Sequence, residues 1–422
     1  MPTNAQYILP EQLCVGLYVH LDLNWTQHSF AFSSFKIKEQ KQIDAIQKLG
    51  LQRIRYEPKR SDREPDPPAA TTLTEPETEP LTAAELETLA EKKAQAAQLD
   101  NIRTQLSDVE QQFQDAAETV RRITANIQTQ PKEVYKEAVA LVGHMVESLL
   151  STGDVMLHAM SDIMGEDAYY HSLNVTVLAL MLGRTLQLSP QELEELGIGA
   201  LFHDIGKTEI PQAILSKSGP LTRSELAHVE KHSLYGTIIG KKIGLSPAAL
   251  SIITQHHEYY DGSGYPDHLT AERISPMARM VAIINTYDNL CNPPSLADAQ
   301  TPSEALSNIF ALKREKFDQV YLKAFIRCLG VYPPGSLVLL SNDMPGLVLS
   351  ASSSRPLRPN VLVYSPDIPK EEALIINLEK EQELKINKSL RPAQLPQNVY
   401  HYLSPRKRVT YFFDPQQPGE LS

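Results

Sequence analysis

Residues 201–207 read Leu201-Phe202-His203-Asp204-Ile205-Gly206-Lys207, and residues 255–258 read Gln255-His256-His257-Glu258. The first segment places an adjacent His and Asp after an apolar helical run, and the second places two imidazoles side by side. Adjacent side chains on a helix point about 100° apart, so each pair can face two metal ions, or one ion and a residue that supports its ligand. The sequence therefore predicts a metal site built around these two segments.

Histidines and a carboxylate supply the predicted ligands, and thiolates do not. The candidate metal ligands are His171, His203, Asp204, His232, His256 and His257. Neutral imidazoles with carboxylates suit Fe, Mn or Zn, and more than four ligands imply more than one ion. Asp204 is expected to bridge two ions, because its neighbour His203 anchors one and its second oxygen is free for the other. His228 lies four residues before His232 and could compete for the same ion, so the residues alone leave this choice open.

The chemistry of such a site is predicted to be phosphate ester or diester hydrolysis. Two ions a few ångströms apart can activate a water molecule and stabilise the charge that develops on a phosphorus centre. Lys207 follows His203 by one helical turn and can place its ammonium on a phosphate oxygen. Asp204 and Lys207 are therefore the predicted catalytic residues.

Length and composition limit the class of protein. A chain of 422 residues exceeds a single ordinary core, so two or three domains are expected. With 42% hydrophobic and 22% charged residues, the composition is that of a soluble protein. No apolar run approaches the roughly 20 residues needed to cross a bilayer, and Met1-Pro2-Thr3-Asn4 has neither the basic start nor the apolar block of a secretory signal. The predicted location is the cytoplasm.

Cysteine content and net charge exclude further classes. Cys14, Cys291 and Cys328 are odd in number and scattered, which favours buried free thiols over a disulfide framework or a thiolate metal site. The formal net charge of −11 disfavours polymeric nucleic acid as a partner, since that binding requires clustered Lys and Arg. A small anionic ligand held by metal ions remains open.

The first part of the chain is predicted to be a small module and a linker. Residues 1–56 alternate short apolar stretches with a helical pattern near Lys38–Leu49, which indicates a few strands with one helix. Residues 57–82 are rich in Pro, Glu, Thr and Asp, as in Pro65-Asp66-Pro67-Pro68. Such a composition cannot bury a core, so we expect a linker.

Residues 83–130 are predicted to form a long helix with a heptad seam. The seam consists of Leu99, Ile102, Leu106, Val109, Phe113, Ala116, Val120, Ile123 and Ile127. Their spacing alternates three and four, which favours left-handed pairing with another helix, and a homodimer through a coiled coil is the preferred interpretation. The alternative is a long amphipathic helix that lies on the helical domain of its own chain.

The remainder divides into a helical and a β-rich part. Residues 131–332 show helix after helix, with Pro and Gly only at connections such as Ser216–Pro220 and Asp261–Pro266, which predicts an all-α bundle. Residues 333–422 contain short apolar runs near 336–340, 346–349, 360–364 and 409–413, separated by turn residues. These indicate strands of a small β-rich C-terminal module.

The chain resembles the HD-GYP domain family in two segments, His203-Asp204-Ile205-Gly206-Lys207 and His256-His257-Glu258-Tyr259-Tyr260-Asp261-Gly262-Ser263-Gly264-Tyr265-Pro266. The resemblance covers roughly residues 154–330. It includes the turn Lys217-Ser218-Gly219-Pro220-Leu221-Thr222 followed by Glu225 and His232, which favours His232 over His228 as a ligand. The N-terminal module resembles the uncharacterised domain often found ahead of HD-GYP in bacterial proteins.

The resemblance implies a fold, a reaction and partners. The implied fold is mainly α: an all-helical HD-domain bundle with the mixed α/β module, the heptad helix and the β-rich module around it. The implied reaction is hydrolysis of cyclic di-GMP to pGpG or onward to GMP in second-messenger signalling. Two divalent ions, with a third as an option, and Fe or Mn as the favoured metals, would be the cofactors. Diguanylate cyclases or other signalling proteins are implied as partners besides cyclic di-GMP.

The resemblance also assigns residues. The implied metal ligands are His171, His203, Asp204, His232, His256, His257 and Asn285, with Asp167, four residues before His171, as the carboxylate for a third ion. Lys207 would contact a phosphate. Gly264, Tyr265 and Pro266 would form the loop beside the nucleotide.

Two departures from the family pattern affect these implications. The family has an Asp ligand where this chain has Asn285, whose amide oxygen can coordinate but brings no charge. The basic Arg-Pro-Tyr segment that follows in the family is replaced by Cys291-Asn292-Pro293-Pro294-Ser295, and Arg279 is expected to compensate as a substrate contact, with Lys313 and Arg314 as alternatives.

Three functions are therefore compared. A working cyclic di-GMP phosphodiesterase is favoured, because the other ligands and Lys207 are retained. The second hypothesis is a receptor or interaction protein that keeps the pocket and has lost turnover through Asn285. The third is a nucleotide phosphohydrolase of the broader HD group, which the intact Gly264-Tyr265-Pro266 segment disfavours.

Overall fold

The structure is a computed structural model. It describes residues 6–23, 28, 30, 34–67, 104, 107–151, 155–159, 167–217, 219–293, 295, 298–352, 355, 357–366, 368, 370, 373–381, 383–403 and 409–415. The chain divides into two compact units. The N-terminal unit comprises Met1–Thr104 and Tyr364–Leu374, and the helical unit comprises Gln105–Val363 and Ile375–Ser422. Among the described helices, none is both long and apolar enough to traverse a lipid bilayer.

The N-terminal unit is built on a small antiparallel sheet with one helix. The strands β1 (Gln6–Ile8), β2 (Tyr18–His20), β3 (Ser34–Lys36) and β4 (Ile54–Tyr56) are arranged in the order β1-β4-β2-β3. Helix α1 (Gln40–Lys48) follows β3 and buries its apolar stripe in the core of this unit. That core contains Leu17, Val19, Ile37, Ile43, Ile46 and Ile54. The predicted module of strands with one helix is confirmed.

The first residues of the predicted linker belong to the N-terminal unit. The main-chain amide of Tyr18 donates to Ser61 Oγ (2.8 Å), and the amide of Asp62 donates to the carbonyl of Gly16 (2.9 Å). The linker prediction was wrong for residues 57–67, because composition measures the apolar side chains that a segment can bury and not the main-chain hydrogen bonds that it can make. The rest of the predicted linker lies outside the described residues.

The helical unit follows the predicted succession of helices. In chain order these are α2 (107–126), α3 (Pro131–Leu150), α4 (Asp167–Thr185), α5 (Pro190–Phe202), α6 (Gln212–Leu215), α7 (Arg223–Glu230), α8 (His232–Ile243), α9 (Pro247–Gln255), α10 (Pro276–Cys291), α11 (Pro302–Leu312) and α12 (Gln319–Leu329). Helices α5, α9, α10 and α11 begin with Ser-Pro or Thr-Pro. The hydroxyls of Ser189, Ser246, Ser275 and Thr301 accept a hydrogen bond from the amide three residues on, and the following proline needs no donor at that position.

The heptad seam is used inside the chain. Val109, Phe113, Val120 and Ile123 are at most 2% exposed and lie in the same apolar core as the helices α3–α5. The Phe113 ring stacks on Tyr170, with ring centroids 5.6 Å apart. The coiled-coil dimer is therefore wrong for the described part of the seam, since one apolar face cannot be buried twice, and the alternative of a helix lying on its own domain holds there. The predictions for Leu99, Ile102 and Leu106 fall outside the described residues.

An antiparallel sheet completes the helical unit. It contains β5 (Val155–Ala159), β6 (Leu337–Leu340), β7 (Pro345–Ser352), β8 (Asn360–Val363), β9 (Ile375–Asn377), β10 (Ile386–Leu390) and β11 (Tyr411–Pro415), and its main path is β10-β6-β7-β5-β11. Helix α13 (Gln397–Leu403) precedes β11. The predicted C-terminal strands are confirmed, whereas β9, β10 and α13 were not predicted.

Strand β5 corrects the prediction that residues 131–332 are all helical. It pairs with β7, with Leu157 opposite Ala351, and with β11, with Leu157 opposite Phe413. Strand β11 of the predicted C-terminal module packs into the core of the helices, where Tyr411 and Phe413 are at most 1% exposed, whereas Val338, Val348 and Val361 of β6, β7 and β8 share a core of their own. A short apolar run such as Val155–Ala159 has no period long enough to distinguish a strand from a helix.

Candidate metal centre

Five polar side chains from four parts of the helical unit meet around Asp204. His171 comes from α4, His203 and Asp204 follow α5, His232 begins α8, and His256 and His257 follow α9. Imidazole Nε2 atoms flank both carboxylate oxygens. Those of His171 and His203 each lie 3.5 Å from Asp204 Oδ2, and those of His232 and His256 lie 3.2 and 3.6 Å from Asp204 Oδ1.

The side chains form two groups that share one carboxylate. His171, His203 and Asp204 form the first group, and Asp204, His232, His256 and His257 form the second. Within each group, one potential ligand atom per residue lies within 4.8 Å of every other. Each group could hold a metal ion. The structure brings together all six residues that the residue types predicted as ligands.

Helix ends orient three of the imidazoles. Nδ1 of His203 lies 2.7 Å from the carbonyl of Ala200, Nδ1 of His232 lies 2.6 Å from that of Val229, and Nδ1 of His256 lies 2.8 Å from that of Ile253. Each carbonyl belongs to the last turn of a helix, where carbonyl oxygens lack an intrahelical donor. A carbonyl only accepts, so Nδ1 carries the proton and a neutral ring presents a lone pair on Nε2.

The lone pairs face one another. The Nε2 atoms of His171 and His203 are 3.1 Å apart, and those of His232 and His256 are 3.2 Å apart. With Nδ1 protonated, two neutral rings of such a pair offer no N–H for a bond between them. Asp204 Oδ1, a buried oxygen, has no hydrogen-bond partner among the described residues. Each pair of imidazoles therefore directs two nitrogen lone pairs towards an oxygen of the Asp204 carboxylate. A divalent cation requires such a set of ligand atoms, so these residues fit the predicted metal.

Burial favours neutral imidazoles, and Lys207 favours an ionised Asp204, which are the charge states that metal ligands need. Desolvation lowers the pKa of His203, His256 and His257, so the imidazoles are neutral at pH 7. Burial by itself raises the pKa of Asp204, but the Lys207 ammonium beside it acts in the opposite direction, and that pKa lies well below its ordinary value. Lys207 Nζ donates to Asp204 Oδ2 at 2.5 Å.

His171 is oriented by a carboxylate that the sequence analysis did not assign. Its Nδ1 lies 2.6 Å from Oδ2 of Asp288, which is 1% exposed. A histidine ligand held by a carboxylate is oriented and made more basic by it. The signal was present in the sequence: Asp288 follows Asn285 by three residues on α10, so the two lie on neighbouring positions of one helix face.

The other predicted ligands have different surroundings. Asn285 is buried, and its amide oxygen accepts from Asn289 Nδ2 at 2.7 Å. Its role as a ligand stays a prediction, and coordination would require this bond to be shared or broken. Asp167 is the first residue of α4, and its side chain lies outside what the structure describes. His228 contacts the ring of Tyr235 and is not part of either ligand group.

Arg279 is engaged elsewhere. Its Nη1 donates to Asp318 Oδ2 at 2.7 Å, and the two side chains are 13% and 10% exposed. Asp318 also caps α12 by accepting from the amide of Val320 at 2.8 Å. The role of Arg279 as a substrate contact stays a prediction, and it would require the ion pair with Asp318 to open.

The loop at Gly264, Tyr265 and Pro266 lies against the second ligand group. The Tyr265 ring stacks on His257 with centroids 4.5 Å apart. A Cβ at Gly264 would lie 2.3 Å from the carbonyl oxygen of His257, so only glycine permits this approach. Buried Glu258 fixes the chain beyond the loop, because its two oxygens accept from the amides of Asp267 (2.6 Å) and Leu269 (2.9 Å).

Comparison with known proteins identifies the domain. Residues 144–320 match the family model described as HD domain, and residues 6–149 match a domain of unknown function, DUF3391. Residues 144–320 form an HD domain. The predicted resemblance to the HD-GYP family, with an uncharacterised domain ahead of it, is confirmed at this level.

Several curated proteins are similar in sequence to this chain. A cyclic di-GMP phosphodiesterase of Pseudomonas aeruginosa is 34% identical over 47% of this chain and 48% of its own length. A cyclic di-GMP phosphodiesterase response regulator of Xanthomonas campestris is 28% identical over 56% of this chain and 58% of its own. A 3'3'-cGAMP-specific phosphodiesterase of Vibrio cholerae is 33% identical over 35% of this chain and 29% of its own. The chain thus spans about half the length, or less, of these relatives.

One solved structure aligns over much of the chain. It is a HDG"Y"P protein from Bdellovibrio bacteriovorus, and the alignment covers 76% of this chain and 98% of that one, with a TM-score of 0.43 and 15% identity.

Proposed function

We propose that this chain is a metal-dependent phosphodiesterase that hydrolyses a cyclic dinucleotide, with cyclic di-GMP as the first candidate. The observation that carries the proposal is the arrangement of imidazole Nε2 atoms around both oxygens of Asp204. Such an arrangement would hold two cations against a shared carboxylate, and a pair of cations of this kind can stabilise the attacking and leaving oxygens in the hydrolysis of a phosphate ester. The names of the curated relatives supply the substrate class.

Each of the two ligand groups would bind one divalent ion. His171, His203 and Asp204 would hold one ion, and Asp204, His232, His256 and His257 would hold the other. Bound ions of this kind supply a nucleophilic water at neutral pH and neutralise charge on the phosphate. The two ligand groups consist of imidazoles and a carboxylate, which suit Fe or Mn. Neither group contains a cysteine thiolate, the ligand that would favour zinc.

Lys207 would bind the phosphate beside the shared carboxylate. The Lys207 side chain is 38% exposed, so it reaches from solvent to the buried Asp204. The bond to Asp204 uses one of the three ammonium hydrogens and leaves two for phosphate oxygens. Lys207 thus places positive charge on the open side of the ligand groups, where a phosphodiester must approach.

Tyr265 would form the wall of the nucleotide site. Its ring covers His257, and burial raises the pKa of its hydroxyl far above the ordinary value, so the hydroxyl stays protonated and can donate. Hydrolysis at one phosphate opens the ring of a cyclic dinucleotide and gives the linear dinucleotide. Hydrolysis at the remaining bridge would give two mononucleotides, and a time course separates these products.

The test measures metal content and turnover in the same preparations. The full chain is purified without oxygen, loaded with Fe²⁺ or Mn²⁺, and assayed on cyclic di-GMP and on 3'3'-cGAMP. Asp204→Ala is expected to lose both ions and all turnover, because both ligand groups depend on this carboxylate, and His203→Ala is expected to lose turnover with the fold intact. His228→Ala is the matched control, since His228 lies outside both groups.

Two results would overturn the proposal. Full turnover by metal-loaded Asp204→Ala would remove the shared carboxylate from the mechanism. Tight binding of cyclic di-GMP by the metal-loaded parent chain without hydrolysis would replace the enzyme with the receptor hypothesis. Preference for 3'3'-cGAMP would keep the chemistry and change the substrate.

A further inference from the structure

Two asparagines connect the C-terminal segment with the metal centre. Asn174 Nδ2 and Asn292 Nδ2 donate to Oδ1 of Asp288, at 2.8 and 2.9 Å. The same two nitrogens donate to the carbonyl of Val409, at 2.9 and 2.7 Å. Asp288 uses its other oxygen for His171. One carboxylate therefore lies between a predicted metal ligand and a pair of amides that also bind the main chain of a distant segment.

The main chain of that segment fixes which way both amides point. The amide of Val409 donates to Asn292 Oδ1 at 2.8 Å, and the amide of Tyr411 donates to Asn174 Oδ1 at 2.7 Å. A main-chain N–H only donates, so each Oδ1 must face the strand and each NH₂ group must face Asp288. Both hydrogens of each NH₂ group are then used, one on Val409 O and one on Asp288.

The segment is held firmly enough to impose this orientation. Tyr411 is fully buried, and its hydroxyl lies 2.7 Å from that of Tyr287 on α10 and 3.3 Å from the carbonyl of Pro334. Strand β11 also pairs with β5 along its length. Each side-chain amide therefore bonds to a main-chain segment that is held in place, and this fixes the direction in which the amide donates to Asp288.

From this geometry we infer that Val409–Tyr411, Asn174 and Asn292 are positioning residues for the metal ion held by His171. The inference rests on the metal-dependent function proposed above. The segment orients the amides, the amides orient and polarise the Asp288 carboxylate, and that carboxylate fixes the His171 ring and its protonated Nδ1. Loss of the N–H at residue 409 frees the Asn292 amide to rotate, and Asp288 Oδ1 then loses one of its two amide donors, so the carboxylate is held less firmly against His171.

The chain offers a matched pair of variants at one position. Val409→Pro removes the N–H that Asn292 accepts, whereas Val409→Ala removes side-chain packing and keeps every main-chain bond. Asn292→Ala removes the same link from the other side. Binding of Mn²⁺ alone is measured for each full-length variant by titration with a spectroscopic count of bound ions, together with the melting temperature.

We expect Val409→Pro and Asn292→Ala to weaken binding of one of two Mn²⁺ ions by roughly 10- to 100-fold, the range for groups that support metal ligands. The second ion, held by His232, His256 and His257, should change by much less. Val409→Ala should lower the melting temperature through lost packing and leave both Mn²⁺ affinities within about twofold of the parent, well below that range. If the segment only stabilised the fold, the Mn²⁺ affinity of each variant would instead fall with its melting temperature.

Two outcomes overturn the inference. One is unchanged Mn²⁺ binding in both Val409→Pro and Asn292→Ala, and the other is a loss in Val409→Ala as large as in Val409→Pro. Because these measurements need no substrate, a chain that binds two Mn²⁺ ions but does not hydrolyse cyclic dinucleotides would refute the proposed function and leave this inference to be decided by the variants.

Discussion

Gly206→Ala should move Asp204 away from His232 without replacing either predicted ligand. Gly206 lies in the turn Ile205–Glu209, between Asp204 and Lys207. A Cβ at this position would lie 1.8 Å from the carbonyl oxygen of His232 and 2.4 Å from the amide of Gly236. Both are main-chain atoms of α8, so no side-chain rotation relieves the contact.

The size of the displacement follows from these distances. Real Cβ atoms essentially never lie closer than 3.0 Å to such an atom, so the turn and α8 must move apart by more than 1 Å. Asp204 and His232 lie on the two sides of this contact, with Oδ1 and Nε2 only 3.2 Å apart. Overpacking of this kind lowers stability by about 1–3 kcal/mol or more, equivalent to a fall in melting temperature of roughly 2–12 °C.

The assay combines thermal unfolding with Mn²⁺ titration. The matched control is Gly143→Ala in α3, where a Cβ would meet no atom within 4 Å. In a helix interior that change should be neutral or stabilise by up to about 1 kcal/mol. If Gly206→Ala has the melting temperature of the parent chain and binds Mn²⁺ equally well, the close approach of the turn to α8 does not hold Asp204 against His232.

Three further predictions concern other buried groups. His158 is buried without a hydrogen-bond partner among the described residues, and desolvation lowers its pKa to about 4. As the pH falls, His158 is therefore protonated in the unfolded chain before it is protonated in the folded one. The free energy of unfolding that this histidine contributes above pH 6.5 should decline by about 3 kcal/mol towards pH 4. A His158→Leu variant whose free energy of unfolding, measured by denaturant titration, falls equally with pH would contradict this prediction. Glu258→Gln turns an amide NH₂ towards a main-chain N–H and should lower the free energy of unfolding by about 1–3 kcal/mol, so an unchanged denaturation midpoint would argue against the role of Glu258. Asn285→Asp should raise Mn²⁺ occupancy and turnover at limiting metal, whereas no gain in either would place Asn285 outside the ligand set.

Three of the predicted metal ligands lie where the local sequence fixes the orientation of the side chain. His203, His232 and His256 each bond to a carbonyl three residues earlier in the last turn of a helix, so a local feature sets both the tautomer and the direction of the ring. The Ser-Pro and Thr-Pro starts of the helices are local in the same sense. Local sequence therefore carries the information for these parts of the fold.

The supporting residues could not be predicted in this way. Asn174 and Asn292 lie on or just beyond helices, and an isolated asparagine there is ordinarily read as a solvent-facing or capping residue. Their partner Val409 is 235 residues away from Asn174. Only the packing of β11 against α4 and α10 gives these amides a function, and no spacing within a helix encodes that contact.

The heptad seam shows the same limit in an apolar setting. Alternating spacing of three and four specifies that α2 buries one stripe, and that part of the prediction is correct for Val109, Phe113 and Val120. The spacing does not say what the stripe packs against, because a helix of the same chain and a helix of a second chain offer equivalent apolar surfaces.

The contacts of Phe113 distinguish packing within the chain from packing between two chains. Its ring contacts Tyr170, next to the predicted ligand His171, and Phe412, next to Tyr411, so the stripe packs on both elements that support the first ligand group. A helix withdrawn to form a dimer would leave those rings exposed to water, and the arrangement of His171 would be lost with them.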